Sequence, residues 1–527
     1  MKAALLIAAL TLCWLLWPLP RSHDWDIAVD AGRLAAKRAY LDALAASPAP
    51  NAGAPLNLVL IVADDLSRHD LSAYGHTPAR TPAIDALAAR GVRFLDAAAA
   101  DPVCSPARAA LLTGRHAQRF GFDSQPMQRY PRNRLEFLAF RHLIDTDAMT
   151  PIRASTYPPP TALLQQGLPV SETTVAEMAQ ALGYATGLFG KWHLGYGADN
   201  GPDAFGFARQ YGFDEAFTLY APDGAADIVE HRHAQFWERH IRDQGRTGPS
   251  AITRDGVEIA EDRYLTDAIA DEAIAFIEAS ADAGTPFLAY VPFNAPHTPF
   301  QARREDFDAV TGARDHNERT YLAMIRRLDH AVGRIARTLD ARGLTERTLV
   351  VFTSDNGGAD YTGATDNGPL RAGKFTQFEG GLAVPLIVAG PGWPTGAVRD
   401  DPVSHLDLLP TIAAQLGVTT PADLDGVDLR AAPDADRPLF WRTDFSLAVR
   451  VGAWKLLRDR RDPQSLRLYD LATDPGEVTN LATREPQRAA RLQALLDHWE
   501  AGLQAPAWPR VMNYRHCRDG DCMDFAI

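Results

Sequence analysis

The sequence predicts an α/β fold: a large, doubly wound, mainly parallel sheet sandwiched by helices, with a smaller C-terminal antiparallel sheet plus a helix. Three observations predict it. Five apolar, β-branched-rich runs are continuous rather than alternating, as strands buried on both faces must be. Segments with apolar residues at i, i+3, i+4 spacing lie between them, and strand–helix alternation with right-handed crossovers winds a parallel sheet. After about Asp436 the pattern changes to short alternating segments, which suit antiparallel strands.

Taken in order, Lys2 and the apolar run 3–17, interrupted by Pro-Leu-Pro, have the length of a secretory hydrophobic segment and are short for a membrane span. Residues 1–23 therefore read as a signal peptide. No Ala-x-Ala site follows, so an uncleaved N-terminal anchor is the second reading, and export to the periplasm or medium is expected either way. Residues 24–46 are expected to form an amphipathic helix and 47–55 a linker, so that 24–54 leads into a catalytic region at 55–430 and a C-terminal subdomain at 431–527.

The first strand, 56–63, stops at Asp64-Asp65. The run 185–190 leads to Lys191 and His193, 287–292 to Asn294 and His297, and 348–353 to Asp355 and Asn356. Beyond Lys374, 382–389 leads to Gly-Pro-Gly. Helices are expected at 81–90, 106–113, 174–182, 264–280, 320–342, 406–416 and 486–502. Ligands of such sheets bind beyond the carboxyl ends of the strands, so these polar clusters should converge on one edge. Two irregular stretches, 125–169 and 197–260, read as loops over that edge and as the place of substrate specificity.

A chain of 527 residues with 46% hydrophobic and 23% charged residues is globular and larger than one small core. The formal net charge of −13 argues against nucleic-acid binding and against docking on an anionic membrane. An acidic protein that handles an anion needs a locally positive pocket. Four cysteines are too few for a disulfide scaffold, but Cys517 and Cys522 are spaced for a local disulfide in an oxidising compartment.

The chemistry centres on 101–119. Cys104 lies just ahead of an expected helix, with Ser105 and Pro106 where the helix would start. An anion bound there meets free backbone N–H groups, and Arg108 adds a planar cation one turn on. Asp64, Asp65, Asp355 and Asn356 offer hard oxygen ligands, which favour Ca²⁺ with Mg²⁺ second. Lys191 and His193 would share one face of an extended segment. His231, His233 and His405 read as structural, because no motif supports them.

Cys-Ser-Pro-Ala-Arg (104–108) followed by Leu-Thr-Gly-Arg (112–115) resembles the signature of the type I sulfatases, within the alkaline-phosphatase-like superfamily. Val-Ala-Asp-Asp (62–65), Gly-Lys-Trp-His-Leu-Gly (190–195), Asn-Ala-Pro-His-Thr-Pro-Phe (294–300), Ser-Asp-Asn-Gly (354–357) and Gly-Lys…Glu-Gly-Gly (373–381) are similar to further family motifs in family order. Together with 468–481 the resemblance spans roughly 55–482. It departs at Ala107, where Ser is more frequent, and at Phe-Thr-Gln (375–377) after Lys374.

The resemblance implies that Cys104 is oxidised to formylglycine (3-oxoalanine) by a formylglycine-generating enzyme. It implies a metal held by Asp64, Asp65, residue 104, Asp355 and Asn356. It assigns Arg108, Lys191 and Lys374 to the sulfate oxygens, His297 with Lys374 to protonation of the leaving oxygen, and His193 to release of sulfate. The function it implies is hydrolysis of a sulfate ester, of a sulfated carbohydrate or an aryl alcohol. A phosphonate monoester or phosphodiester hydrolase of the same superfamily is the alternative. A glycan-binding protein with an unmodified thiol is a third reading, disfavoured by the complete acid, base and metal set.

Overall fold

The computed structural model describes residues 2–22, 25, 29–47, 56–75, 78–127, 129–233 and 236–527. Nearly all of the expected linker at 47–55 lies outside them. Ten strands form the central sheet: β1 (Asn57–Ala63), β2 (Val92–Phe94), β3 (Ala185–Lys191), β4 (Arg209–Phe213), β5 (Thr253–Arg254), β6 (Val257–Glu258), β7 (Phe287–Pro292), β8 (Thr348–Ser354), β9 (Leu386–Ala389) and β10 (Ala397–Arg399). Their spatial order is β10-β2-β9-β8-β1-β7-β3-β4-β5-β6. The five central strands β8, β1, β7, β3 and β4 are all parallel. Their carboxyl ends therefore point the same way.

Alternation along β1 shows why the runs are apolar throughout. Val59 and Ile61 pack into one core with helices Leu265–Asp282 and His316–Ala341. Leu58, Leu60 and Val62 pack into a second core with helices Cys104–Thr113, Val175–Ala181 and Leu408–Leu416. A strand covered on both faces has no solvent side on which to place a polar residue.

Several expectations need correction. The run at 382–389 is not a parallel strand. Its first residue closes the short helix Glu379–Leu382, and β9 then runs antiparallel to both β8 and β2. The helix expected at 24–46 is Ala31–Ala46, capped by Asp30, which accepts from Arg33 N. The stretch 125–169 holds the helix Arg134–Leu143, and 197–260 holds β4, β5, β6 and the helix Phe236–Gln244.

Beyond the sheet, β11 (Pro438–Thr443), β12 (Ser446–Val451), β13 (Trp454–Asp459) and β14 (Asp462–Asp470) form an antiparallel meander. Helix Pro486–Glu500 covers it through Leu492 and Leu496. A last hairpin, β15 (Met512–Arg518) and β16 (Asp521–Ala526), was not expected from the sequence. It pairs with Met149–Pro151 and carries the Cys517–Cys522 disulfide across its tip.

Candidate active site

Each central strand delivers its polar residues to the same edge. β1 ends in Asp64 and Asp65, β3 in Lys191, β7 leads to Asn294 and His297, and β8 to Asp355 and Asn356. Asp64 and Asp65 are buried, and each faces a buried ammonium: Lys191 Nζ is 2.7 Å from Asp64 Oδ2, and Lys374 Nζ is 2.9 Å from Asp65. Cys104 Sγ lies 3.5 Å from Asp64 Oδ1 and 3.7 Å from Asp65 Oδ1. His297 Nε2 is 3.5 Å from Asp65 Oδ2, while its Nδ1 lies 2.7 Å from the Thr298 carbonyl.

Cys104 is the first residue of its helix, with Val103 as the N-cap, so the helix starts two residues before the expected 106. It is 1% exposed. Arg108, on the next turn and fully buried, donates to Asp355 Oδ2 at 2.9 Å through Nε and lies 2.8 Å from it through Nη2. Asp355 Oδ1 accepts the backbone N–H groups of Asp65 and Asn356.

The backbone turns that aim these groups are unusual. Asp65 has φ +62°, in the left-handed region that Asp tolerates. His193 has φ +56°, so the segment after β3 is not extended. Lys191 and His193 reach one site through a left-handed turn and not through strand alternation. Phe375, next to Lys374, has φ +76°, a strained conformation for a bulky residue. The glycines explain how two loops meet. A Cβ on Gly357 would lie 1.9 Å from the Gly380 carbonyl oxygen, and Gly357 N donates to Gly381 O at 3.0 Å. Only residues without a side chain allow that approach.

Charge and burial pull in opposite directions here. Burial alone would raise the carboxyls of Asp64 and Asp65, but Lys191 and Lys374 respectively, with His297, hold them below the usual range. Burial would lower Lys374, yet Asp65 keeps it cationic. Burial and the charge of Asp355 push the Cys104 thiol up. Burial, then the cations Lys191, Arg108 and Lys374, hold His193 well below its ordinary value, and burial with Lys374 lowers His297.

The donors present could hold a metal ion. Asp64, Asp65, Cys104 and His297 each offer one ligand atom, all within 4.8 Å of one another. Asn356 Oδ1 is buried without a hydrogen-bond partner, while its Nδ2 donates to Asp65 Oδ1 at 2.9 Å. Such an orphaned carbonyl oxygen beside paired carboxylates is suited to a cation. His297 enters this group by position, where the sequence suggested only a proton donor. Asp355 instead faces Arg108.

Other buried atoms also lack partners: both ring nitrogens of His193, both polar atoms of the Asn294 side chain, and Ser105 Oγ. Asn294 and Ser105 were not among the expected site residues, although each sits beside one. His405 Nε2 lies 3.1 Å from Thr353 Oγ1 behind the site, and His231 and His233 pack ring to ring at 4.7 Å.

The decisive comparison follows from this geometry. The family model described as Sulfatase matches residues 56–418. This chain belongs to the sulfatase family. The chain is 32% identical over 427 residues to the N-acetylgalactosamine-6-sulfatase of Canis lupus familiaris, covering 78% of this chain and 73% of the relative. It is 32% identical over 503 residues to the arylsulfatase A of Homo sapiens, covering 85% and 87% respectively. Among solved structures, Ps i-CgsB in complex with k-i-k-neocarrahexaose superposes with a TM-score of 0.71 at 29% identity, covering 86% of this chain and 94% of that one. The phosphonate monoester hydrolase of Agrobacterium radiobacter shares the fold, with a TM-score of 0.56 at 22% identity, covering 89% and 99%. As a sulfatase, the protein hydrolyses sulfuric esters, and the buried cations described above suit the handling of a sulfate group.

Proposed function

We propose that this sulfatase is exported, acts on a sulfated carbohydrate, and works with formylglycine at position 104 and a bound Ca²⁺. The single observation that carries the reading is the convergence of Arg108, Lys191, Lys374, His193 and His297 on the N-terminus of the Cys104 helix. Export is supported by Lys2 with the apolar segment behind it, and by the disulfide of the last hairpin. The sulfated-sugar class is supported by the relatives, one named for an N-acetylgalactosamine sulfate and one solved with a carrahexaose. The division into a signal peptide or N-terminal anchor (1–23), a helix and linker (24–54), a catalytic region (55–430) and a C-terminal subdomain (431–527) belongs to this reading.

Asp64, Asp65, Asp355, Asn356 and residue 104 would hold the metal, which would supply charge stabilisation at the sulfate oxygens. Residue 104 as a hydrated aldehyde would supply one hydroxyl for attack on sulfur and a second whose proton can be removed to release sulfate. The chain's own groups do the rest. Arg108, Lys191 and Lys374 are fixed cations that neutralise the ester oxygens, which otherwise repel a nucleophile. Burial excludes water, so these charges act at full strength. Asp355, held by Arg108 and two backbone N–H groups, takes the proton of the attacking hydroxyl. His297, its Nδ1 on the Thr298 carbonyl, presents Nε2 toward the site and with Lys374 protonates the leaving oxygen. His193 is kept neutral by burial and the cations around it, so it is ready to accept the proton whose loss frees sulfate.

Mass spectrometry of the peptide spanning residue 104, paired with turnover per mole of aldehyde, tests the reading. Activity is expected to track the aldehyde. Cys104→Ala is expected to be inactive, and Cys104→Ser to stall as a stable sulfated enzyme because serine cannot eliminate sulfate. Full activity from an unmodified thiol would overturn the mechanism, and faster turnover of phosphonate esters than of sulfates would favour the alternative.

A further inference from the structure

The N-terminal segment behaves as two parts. Residues 18–22 and Trp25 are woven into the fold. Leu19 N donates to Arg132 O at 3.0 Å, Ser22 N to Tyr157 O at 2.9 Å, and Tyr157 N to Pro20 O at 3.0 Å. Arg21 donates to the carbonyls of Pro158 and Pro131 at 3.1 Å each and lies over the Tyr157 ring. Trp25 Nε1 donates to Thr156 Oγ1 at 2.9 Å. Leu19 is 2% exposed, inside a small core of Tyr130, Phe137 and Tyr157. Cleavage at 23 would remove Leu19 from that core and Arg21 from the Tyr157 ring, and leave the 130–158 segment without these bridging partners.

The preceding helix, Lys2–Leu16, does the opposite. It is almost wholly apolar and lies on the surface, with Leu5 64%, Ile7 65%, Leu10 61% and the following Trp17 67% exposed. An apolar surface of this kind marks a contact with another apolar phase. Its neighbour is helix Arg134–Leu143, whose Leu143 is 83% exposed, and Arg134 donates to the Trp14 carbonyl and lies 4.9 Å over the Trp14 ring.

We propose that residues 1–25 are retained in the mature protein and that helix Lys2–Leu16 docks it on a lipid bilayer surface. Length and charge choose this occupant. Among the described residues no helix is long and apolar enough to cross a membrane. Fifteen residues reach about 22 Å, less than the roughly 30 Å hydrocarbon core. Lys2 stands at one end of the helix, and Arg21, Arg129, Arg132 and Arg134 gather at the other, partly offset by Glu136. The helix is apolar on every side, so on a bilayer surface it would sink below the headgroups of one leaflet while Lys2 and the arginines reach back among them, with Trp14 and Trp17 at the boundary. The whole-chain charge of −13 opposes an anionic surface, so the apolar helix supplies the binding and the arginines orient it.

The inference rests on the export reading only for which membrane is met, and a test on purified protein separates the two. Intact-mass analysis of protein recovered from the native host is expected to show residues 1–25 retained. Flotation of the full chain with phosphatidylcholine vesicles, and with vesicles containing phosphatidylglycerol, is expected to carry most of it upward in both cases. The double variant Leu6→Glu, Leu10→Glu alters only exposed positions. It should float at least tenfold less, with unchanged melting temperature and unchanged aryl sulfate turnover. A mature chain beginning beyond Trp17, full-length protein that stays at the bottom of both gradients, or a variant that floats like the wild type would each overturn the proposal. So would a wild type that elutes as a dimer through this helix and does not float. Loss of sulfatase activity in every form would instead count against the proposed function and leave flotation readable.

Discussion

Two buried charged clusters lie a few residues apart in this chain, and they are built to different rules. In the first, Lys455 is fully buried between Glu379 at 2.8 Å and Glu477 at 3.0 Å, and Glu379 N donates to Glu477 Oε2 at 2.6 Å. Arg450 joins through Glu379 Oε2 at 3.5 Å and also pairs with Asp96 at 2.5 Å. Burial would raise both carboxyls. Lys455 and Arg450 hold Glu379 down, while burial and the charge of Glu379 push Glu477 up. Each charge there has an opposite partner, so the cluster ties the Lys374 loop to the C-terminal meander. The second cluster, around Cys104, leaves His193, Asn294, Ser105 and the Asn356 carbonyl oxygen buried without partners. An unpaired buried polar atom costs about 1–3 kcal/mol, and a fold keeps several together only where a ligand completes them. The difference separates a structural ion cluster from a pocket whose polar atoms are free to meet a ligand.

The strongest way to break that contrast is at the metal. Asp64→Ala is expected to lose bound Ca²⁺ and at least about 10³-fold in turnover, read by metal analysis and steady-state kinetics. Stoichiometric zinc with no calcium at full activity would show the donor assignment to be wrong. His193→Leu removes two ring nitrogens that bond to nothing, so turnover should fall about 10²–10⁴-fold while the melting temperature stays level or rises. A large loss of stability would mean that His193 is structural after all.

Lys455→Met sharpens the other side. It strands two buried carboxylates and should cost about 3–5 kcal/mol of stability, while turnover per folded molecule at low temperature is largely kept. Denaturant titration alongside active-site-normalised kinetics distinguishes the outcomes.

The smallest effect is pH-dependent and lies outside both clusters. Burial lowers His116, whose ring packs against Trp499 at 5.0 Å, to about 4. Its folded value lies below its unfolded one, so between about pH 6.5 and 4 the unfolded chain binds the extra proton. Stability should therefore fall across that window by up to about 3 kcal/mol as pH drops, and His116→Phe should flatten that part of the profile. An unchanged slope in the variant would remove His116 from the account.

The sheet centre was legible because β1, β3, β7 and β8 are buried on both faces and leave a continuous apolar signature. The residues at their ends followed from parallel topology alone. Local backbone geometry was not legible. Nothing in composition announces that His193 and Phe375 take left-handed conformations, because loop packing imposes them. The antiparallel course of β9 is set by its neighbours β8 and β2, and a buried run of four residues reads the same in either direction. Helix Arg134–Leu143 escaped notice among prolines and arginines, although Asn133 caps it by accepting from Glu136 N.

The hairpin β15–β16 reaches back to the loop that carries Lys374. Tyr514 packs 5.9 Å from Phe375 and 6.2 Å from Tyr361, which itself stacks on Phe375, and Arg371 pairs with Asp521 at 2.9 Å. The loop that presents Lys374 is thus braced by a hairpin remote from it in sequence. A chain without residues 512–527 would keep every strand of the central sheet, yet lose the buttress behind Lys374. Damage to the hairpin should therefore be felt in the pocket before it is felt in the sheet.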